Sequence, residues 1–237
     1  MKQVLDHGHV ALVESWGSDE RIIEAARMST GKGFRGWGDD ASPGDERLLA
    51  YLWRNRHASP FEMAGAVVEV QAPIFVIREW QRHRTQSYNE LSARYAPLPC
   101  VDYVPSVERL MIAGDATNKQ AGAIDGAEPM CEEVARAYQR VLRVQYESAE
   151  ALYQQALRCG VPKELARVHL PVGRYSRMRA GANLRNWLAF LALRMDGKAQ
   201  WEIRQYANAV HDVLVELFPR TLALFDGSVS SAKKTDP

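Results

Sequence analysis

The chain has 237 residues, 46% hydrophobic and 25% charged, which is enough for one sizeable core and too short to require a second domain. Its net charge of +1 gives no global reason to expect nucleic-acid or membrane binding. Cys100, Cys131 and Cys159 show neither metal-type spacing nor a disulfide framework, and the N-terminus lacks an apolar run of signal-peptide length. No stretch reaches about eighteen uninterrupted apolar residues, so we expect a soluble, cytoplasmic protein.

The first elements are a short strand, a helix and a loop. The apolar run Val10–Val13 predicts a strand. Ser18 followed by two acids is typical of a helix start, and this helix should end near Met28. Residues 30–44 contain five glycines and little periodicity, which indicates a loop long enough to cover a binding site.

A second helix should begin at Asp45 and end in the cationic residues 54–57. The β-branched stretch Ala64–Gln71 predicts a strand. Pro73 suits the first position of a short helix over Ile74–Arg82, where arginines four residues apart would share one face.

The middle of the chain begins with an irregular, proline-containing loop after Tyr95 and a connector over residues 113–128. A long helix should then run from Pro129 to Arg158, because apolar residues recur at spacings of three and four. This spacing is kept for most of the helix, and Gly160 should end it; the residues are Val134, Tyr138, Val141, Ala149, Leu152 and Ala156.

The C-terminal part should hold a short helix over Pro162–His169 and a basic strand over Gly173–Gly181. Asn183 can cap the following helix, and a last amphipathic helix is expected over Gln200–Phe218. The small, polar residues 227–237 predict a disordered tail after a single domain over 1–226. Without repeats or strict βαβ alternation, the fold class is α+β, with helices on a modest mixed or antiparallel sheet.

The stretch Arg78–Tyr95 concentrates the polar chemistry of the chain. It holds four arginines, a histidine, two acids and three small hydroxyl residues in eighteen positions. Guanidinium groups bind phosphates and pyrimidine carbonyls in bidentate fashion, and Asn89, Glu90 and Ser92 could read a base edge or hold a ribose. The stretch therefore indicates a site for anions and flat polar rings. The alternative is an exposed salt-bridge network.

Other catalytic patterns are absent from the sequence. It has no Gly-x-Gly-x-x-Gly after a strand, no Walker A loop and no Gly-x-Ser-x-Gly. The six histidines form no zinc motif, so no metal is expected. Cys100 lies outside the predicted helices, but no histidine is near it in sequence to activate a nucleophile.

Three further residues have both a functional and a structural interpretation. Arg167 follows Glu164 by three positions, as a simple helix pair would. Arg194 lies in an apolar helix, where its charge either extends to water or meets an anionic ligand. His57 could be only a cation at a helix end.

The motif Arg82-His83-Arg84, followed by seven residues and Ser92, resembles the defining motif of the flavin-dependent thymidylate synthases. Further stretches over residues 1 to about 226 resemble the family in the same order. They are Ala25–Ser29, His57–Glu62, Pro73–Val76, Val104–Ser106, Ala166–Pro171, Asn183–Arg185 and Ala199–Arg204.

The resemblance implies a homotetramer of α+β subunits that makes thymidylate from dUMP, with methylenetetrahydrofolate as carbon donor, FAD as redox carrier and NADPH as reductant. It implies FAD and nucleotide sites at subunit interfaces. The implied FAD contacts are Ser29, His57, Ser59, Arg82, His83, Arg84, Glu90, Asn183 and Arg185. The implied nucleotide contacts are Glu79, Arg82, Glu90, Leu91, Ser92, Arg94, Arg167 and Arg194. Arg194 would be the catalytic residue, stabilising negative charge at the uracil carbonyl edge.

Three positions depart from the family pattern. Glu79 stands where the family often has glutamine, Ala189 replaces a polar residue, and Lys198 replaces a common histidine. These departures leave open an altered substrate, UMP instead of dUMP. A third hypothesis of another class, an arginine-rich nucleic-acid-binding module without catalysis, fits poorly with the near-neutral charge.

Overall fold

The computed structural model of the protein describes residues 1–38, 44–112 and 129–232. The strands are β1 (Lys2–Val4), β2 (Gly8–Trp16), β3 (Gly65–Pro73), β4 (Ser87–Glu90) and β5 (Tyr175–Asn183). They form one five-stranded sheet in the order β1-β2-β3-β5-β4. Every pair of neighbours is antiparallel. The expected strands near 10–13, 64–71 and 173–181 are confirmed with extended bounds, whereas β1 and β4 were not predicted.

Helices account for most of the remaining described chain. They are α1 (Asp19–Arg27), α2 (Glu46–Arg54), α3 (Ile74–Trp80), α4 (Val107–Met111), α5 (Glu132–Arg158), α6 (Lys163–Ala166), α7 (Leu184–Arg194), α8 (Trp201–Leu217) and α9 (Pro219–Ala232). Two 3-10 turns occupy Met28–Thr30 and Ser59–Met63. The expected α+β class is confirmed. Within the described ranges, no helix is both long and apolar enough to cross a membrane.

The core lies between one face of the sheet and helices α3, α7 and α8. Val68 and Val70 alternate with less buried residues along β3, so their side chains share the inner face. Trp80, Trp187 and Tyr206 are fully buried beneath them. The ends of α3 and α7 therefore have fixed positions relative to each other.

Helix α3 is shorter than the sequence suggested. Pro73 is the last residue of β3, and the backbone N–H of Ile74 donates to the carbonyl of Arg174 at 2.9 Å. The helix ends at Trp80, so Arg82 lies in the turn beyond it and the expected shared face with Arg78 is wrong. The reason is tertiary, because the motif turns back there to form β4 against β5.

Helix α5 begins at Glu132, close to the expected start, but three of the apolar residues that gave its spacing are exposed. Val134, Val141 and Leu152 are 51%, 60% and 52% exposed. The side chains that face the rest of the chain are instead Ala135, which is fully buried, and Tyr153, which is 1% exposed. Helix α5 thus carries an apolar stripe that the described residues of its own chain leave exposed.

The C-terminal prediction is also corrected in part. Helix α9 extends to Ala232, so Gly227–Ala232 is helical where disorder was expected. Phe225 is buried and Val229 packs against the core, which explains why the helix continues. Residues 233–237, the connector 113–128 and residues 39–43 of the expected loop lie outside the described residues.

Candidate functional site

The end of α3 and the end of α7 meet in a cluster of three charged or polar side chains, Glu79, His83 and Arg194. The Nε of Arg194 donates to Nε2 of His83 at 2.8 Å. Its Nη1 donates to the carboxylate of Glu79, and its Nη2 lies 3.4 Å from the Glu79 carbonyl. Arg194 is the last residue of α7, where a cation also meets the negative end of the helix dipole. The sequence offered two interpretations of Arg194, a charge that extends to water or one that meets an anionic ligand. Both were incomplete, because the carboxylate of Glu79 in the same chain is a counter-ion.

The electrostatics of this cluster favour a neutral His83. Burial lowers the pKa of His83, and the Arg194 guanidinium lowers it further, while Glu79 partly opposes both. Because Nε2 accepts a hydrogen bond from Arg194, the proton of the neutral ring is on Nδ1. The ring also meets Phe190 edge-to-face, with centroids 4.9 Å apart.

The segment after His83 is held by backbone-directed hydrogen bonds. The Tyr88 hydroxyl donates to the carbonyls of His83 at 2.7 Å and Trp80 at 3.1 Å. The Asn186 side chain donates to the carbonyl of Thr85 at 3.0 Å, which joins the motif to the first turn of α7. These contacts fix the backbone of the turn and leave the side chains on its outer side free for ligands.

Arg82 and Arg84 occupy that outer side. Both are exposed, and neither guanidinium has a hydrogen-bond or ion-pair partner in the part of the chain that the structure describes. Two fixed cations without carboxylate partners suit an anion such as a phosphate. Among the described residues, the alternative of an exposed salt-bridge network therefore does not hold for these two arginines.

A large cleft of about 1210 Å³ opens between α2, α7 and α9. Its walls are mainly apolar, with Trp53, Phe61 and Leu188 among them. His57, Arg185 and Ala189 lie at the same cleft. His57 is exposed, with its ring 5.5 Å from that of Tyr51, and Arg185 pairs with Glu62. The cleft can accept a flat, partly apolar molecule with a polar end.

A second cavity of about 370 Å³ lies on another part of the surface, beside α3 and α6. Arg78 and Arg167 line it together with Glu164. Glu164 pairs with Arg94 at 3.2 Å, so Glu164 has a longer-range partner than the helix pair that was one interpretation of Arg167. Two arginines therefore line this cavity and a third, Arg94, pairs with a residue of its wall; among the described residues, none lines both the cavity and the large cleft.

The other predicted residues lie on exposed turns and strand ends. The Ser29 hydroxyl donates to the Ala26 carbonyl at 3.1 Å, and Ser59 begins a 3-10 turn. Glu90 accepts from Gln81 at 3.3 Å. The backbone of Leu91 bonds to Arg177, and the Ser92 hydroxyl accepts from the backbone N–H of Arg94. Asn183 caps α7 as predicted, since its side chain accepts from the N–H of Asn186 at 3.0 Å.

Sequence reasoning missed two neighbours of the site and discounted one cysteine. Phe190 precedes Arg194 by one helical turn, a spacing that could have placed it beside His83. Glu62, within a quoted motif, is the partner of Arg185. Partial burial raises the pKa of the Cys100 thiol, and Glu150 raises it further, which opposes a nucleophilic thiolate. Across the described residues, no group of three or more potential ligands could hold a metal ion.

Comparison with known protein families gives a match over most of the chain. Residues 11–220 match the Thy1 family, described as thymidylate synthase complementing protein. A flavin-dependent thymidylate synthase of Thermus thermophilus is 42% identical, and the alignment covers 94% of this chain and 77% of that protein. The flavin-dependent thymidylate synthases of Anaplasma marginale and Treponema pallidum are 39% and 38% identical to this chain. Both alignments cover 94% of this chain, and they cover 73% and 70% of the length of the two relatives.

Solved structures agree with that match. The fold is similar to a UMP/dUMP methylase, PolB, from Streptomyces cacaoi bound with 5-Br dUMP, at a TM-score of 0.80 and 34% identity. That alignment covers 96% of this chain and 97% of the other. A second structure of PolB, bound with 5-Br UMP, gives a TM-score of 0.79 at 31% identity, covering 95% and 96% of the two chains.

Proposed function

Because the chain belongs to the flavin-dependent thymidylate synthase family, we propose that it methylates dUMP at C5 to give dTMP. Methylenetetrahydrofolate is the proposed carbon donor, FAD the redox carrier and NADPH the reductant. Residues 1–226 form the catalytic domain in this proposal. The observation that carries it is the contact of Arg194 with His83, because it joins the Arg82-His83-Arg84 motif to the residue proposed for catalysis.

The residues at the large cleft fit a flavin nucleotide. The cleft is wide and mainly apolar, as an isoalloxazine ring requires, and Arg185 and His57 lie at its edge. Arg82 and Arg84, which have no side-chain partner among the described residues, are donors of the kind that hold a pyrophosphate. Ser29, Ser59, His83, Glu90 and Asn183 complete the proposed set. When bound, the flavin would supply the hydride chemistry, and the protein would position the reactants.

The arginine-lined cavity fits the phosphate end of a nucleoside monophosphate. Arg167 faces it directly, and Arg94 reaches it through its pair with Glu164. Ser92 and Leu91 lie in the same loop as Arg94 and would hold the sugar and base, with Arg82 and Glu90 nearby in the motif. Arg194 would place its remaining N–H groups at a uracil carbonyl, where negative charge develops during reduction.

The first test is a flavin and methylation assay on the purified full chain. We expect a yellow protein, or one that takes up added FAD, and transfer of the methylene carbon to C5 of dUMP only when NADPH is present. A protein that remains colourless after incubation with FAD and forms no dTMP would contradict the proposal.

UMP is the second candidate substrate. The observation that favours it is the similarity to PolB, a UMP/dUMP methylase whose structures hold 5-Br dUMP and 5-Br UMP. Glu79, Ala189 and Lys198 are the departures that could accompany a changed nucleotide. Parallel assays with dUMP and UMP decide between the two, because kcat/KM ratios measure discrimination directly. A ratio near one would indicate a dual-specificity enzyme.

For assembly, we propose a homotetramer with sites at its interfaces, formed in part through α5. One face of α5 carries small and apolar residues at alternating spacings of three and four, and all of them except the half-buried Ala137 are exposed: Val134, Ala137, Val141, Val144, Ser148 and Ala151. Two copies of α5 packed antiparallel about an axis near Leu142 place Val141 against the partner's Val144. The same pairing places Arg140 beside the partner's Glu147, and both side chains are exposed in the single chain.

Charge exchange tests this pairing. Arg140→Glu or Glu147→Arg alone places like charges opposite each other at two symmetric positions, so sedimentation should show smaller assemblies than the parent. The double variant should restore them. Arg136→Glu is the control, because Arg136 pairs with Glu132 of its own helix at 2.6 Å. Equal assembly of all variants would remove α5 from the interface.

We propose the cytoplasm as the location of the protein. Its three free cysteines suit a reducing compartment.

A further inference from the structure

We propose that Glu79 is a positioning residue that holds Arg194 against His83 and thereby fixes the proton of His83 on Nδ1. The second part of this proposal rests on the proposed function. In it, the proton on Nδ1 is the hydrogen-bond donor that His83 offers to an acceptor oxygen of the bound flavin nucleotide. Residue 79 would then act through two neighbours, in addition to any direct contact with the nucleotide.

Contacts on both sides of the guanidinium support this role. Arg194 is only 11% exposed in its side chain, so its charge requires a partner, and the carboxylate of Glu79 provides one. The carbonyl of the same residue lies 3.4 Å from Nη2. A guanidinium held at Nη1 and Nη2 is restricted in rotation, and this restriction directs Nε at the imidazole.

One ring nitrogen of His83 accepts a hydrogen bond from Arg194, and the other can donate to a ligand. Nε2 accepts from Nε of Arg194, an interaction that a ring carrying a proton on Nε2 cannot make. Nδ1 has no hydrogen-bond partner within residues 1–38, 44–112 and 129–232. His83 is only half-buried, so a ligand can reach its free side. A neutral imidazole with a fixed Nδ1–H suits a phosphate or carbonyl oxygen.

Glutamate and glutamine at position 79 should differ in charge but not in hydrogen bonding. A glutamine side-chain oxygen can still accept from Arg194, whereas a leucine cannot. The charged groups that face His83 are Glu79 from α3 and Arg194 from α7. The hydroxyl of Tyr88, from β4, donates to the carbonyl of His83. This hydroxyl stays protonated, because burial raises the pKa of Tyr88 to about 12. Phe190, the remaining neighbour, does not titrate.

The experiment is ¹⁵N NMR of histidine-labelled full-length protein, with a His83→Gln variant to assign the His83 signals. The parent should show His83 with its proton on Nδ1. Glu79→Gln should keep this tautomer, and Glu79→Leu should give a mixture. Glu69→Gln is the matched control, since Glu69 pairs with exposed Arg179 on the outer face of the sheet. A parent ring protonated on Nε2, or an unchanged tautomer in Glu79→Leu, would overturn the proposal.

The pH titration gives a second readout that a purely structural role would not produce. The carboxylate of Glu79 raises the pKa of His83, so its removal in Glu79→Gln should make His83 titrate at lower pH than in the parent. An unchanged or higher titration point would contradict the charge coupling. FAD affinity of Glu79→Leu should fall roughly three- to tenfold, the effect of one neutral hydrogen bond; unchanged affinity would refute the donor role toward FAD.

These readouts separate the positioning role from the proposed reaction. The tautomer and the titration are measured without turnover, so they remain valid if neither dUMP nor UMP is methylated. Conversely, an active enzyme whose His83 tautomer ignores residue 79 would sustain the proposed function and refute this inference.

Discussion

The surroundings of Arg174 and of Arg84 show two different uses of arginine in one chain. Arg174 is fully buried at the start of β5, and donates to Asp102 at 3.0 Å, Glu150 at 2.7 Å and the Pro99 carbonyl at 3.2 Å. Arg84 is exposed and has no such partner in the described part of the chain. Arg174 joins residues 99–102 to α5, whereas the side chain of Arg84 extends outward from a turn whose backbone is held by hydrogen bonds.

The difference shows that partners, more than composition, distinguish a structural arginine from one that binds a ligand. A buried guanidinium without carboxylates would be strongly destabilising, so Arg174 depends on Asp102 and Glu150 for folding. An exposed guanidinium on a fixed backbone loses little by lacking a partner, and gains when an anion arrives. Arg194 shares features of both arginines. Like Arg174 it is largely buried and paired with a carboxylate, that of Glu79, and like Arg84 it lies at the Arg82-His83-Arg84 motif.

The largest expected effect is at the buried arginine. Arg174→Met should lower the free energy of unfolding by about 3–5 kcal/mol, because it leaves the partly buried carboxylates of Asp102 and Glu150 without their cation. Urea denaturation measures this change. The control is Arg177→Met in β5, three residues further on, where the exposed side chain should change stability by less than about 0.5 kcal/mol. Equal stability of both variants would contradict the structural role of Arg174.

The next effect separates chemistry from cofactor binding. Arg194→Ala should lower kcat roughly 10²–10³-fold, the usual loss when a donor to developing negative charge is removed. FAD should still bind, with about the three- to tenfold loss of affinity expected for Glu79→Leu, because the exposed arginines of the motif remain while His83 loses its contact with Arg194. Turnover with dUMP and the flavin absorbance of the purified variant check the two parts separately. Unchanged turnover would exclude Arg194 from the mechanism.

Arg84→Ala should show the opposite pattern to Arg174→Met. We expect FAD affinity to fall roughly ten- to a hundredfold through loss of a charge-assisted hydrogen bond, with a melting temperature within about 2 °C of the parent without cofactor. Fluorescence titration with FAD and thermal unfolding provide the measurements. Arg47→Ala, at an exposed position of α2, is the charge-matched control and should change neither quantity. A large loss of stability in Arg84→Ala would assign Arg84 to the structural class.

The smallest effect concerns the cap that positions α7. Asn183→Ala should cost about 1 kcal/mol of unfolding free energy, because the N–H of Asn186 loses its acceptor. Asn183→Asp keeps that acceptor and should recover most of the loss. Chemical denaturation of the two variants checks this, and a full loss in Asn183→Asp would show that the side-chain amide has a further role.

The sequence by itself determined the features that depend on neighbouring residues. The caps at Ser18 and Asn183 were predictable because both act on a backbone N–H three positions later. The β-branched stretch Ala64–Gln71 predicted the strand β3, and the order of short motifs identified the family. These signals are local, so chain order is sufficient to read them.

Tertiary structure alone decided the features that depend on distant residues. Glu79 and Arg194 are 115 positions apart, and only the packing of α3 and α7 on one sheet brings them together. Helix α5 has apolar residues on two sides, and only the position of the chain around it shows that Val134, Val141 and Leu152 remain uncovered. Charge and hydrophobicity set what each side chain can bind, whereas its partner is set by the path of the whole chain.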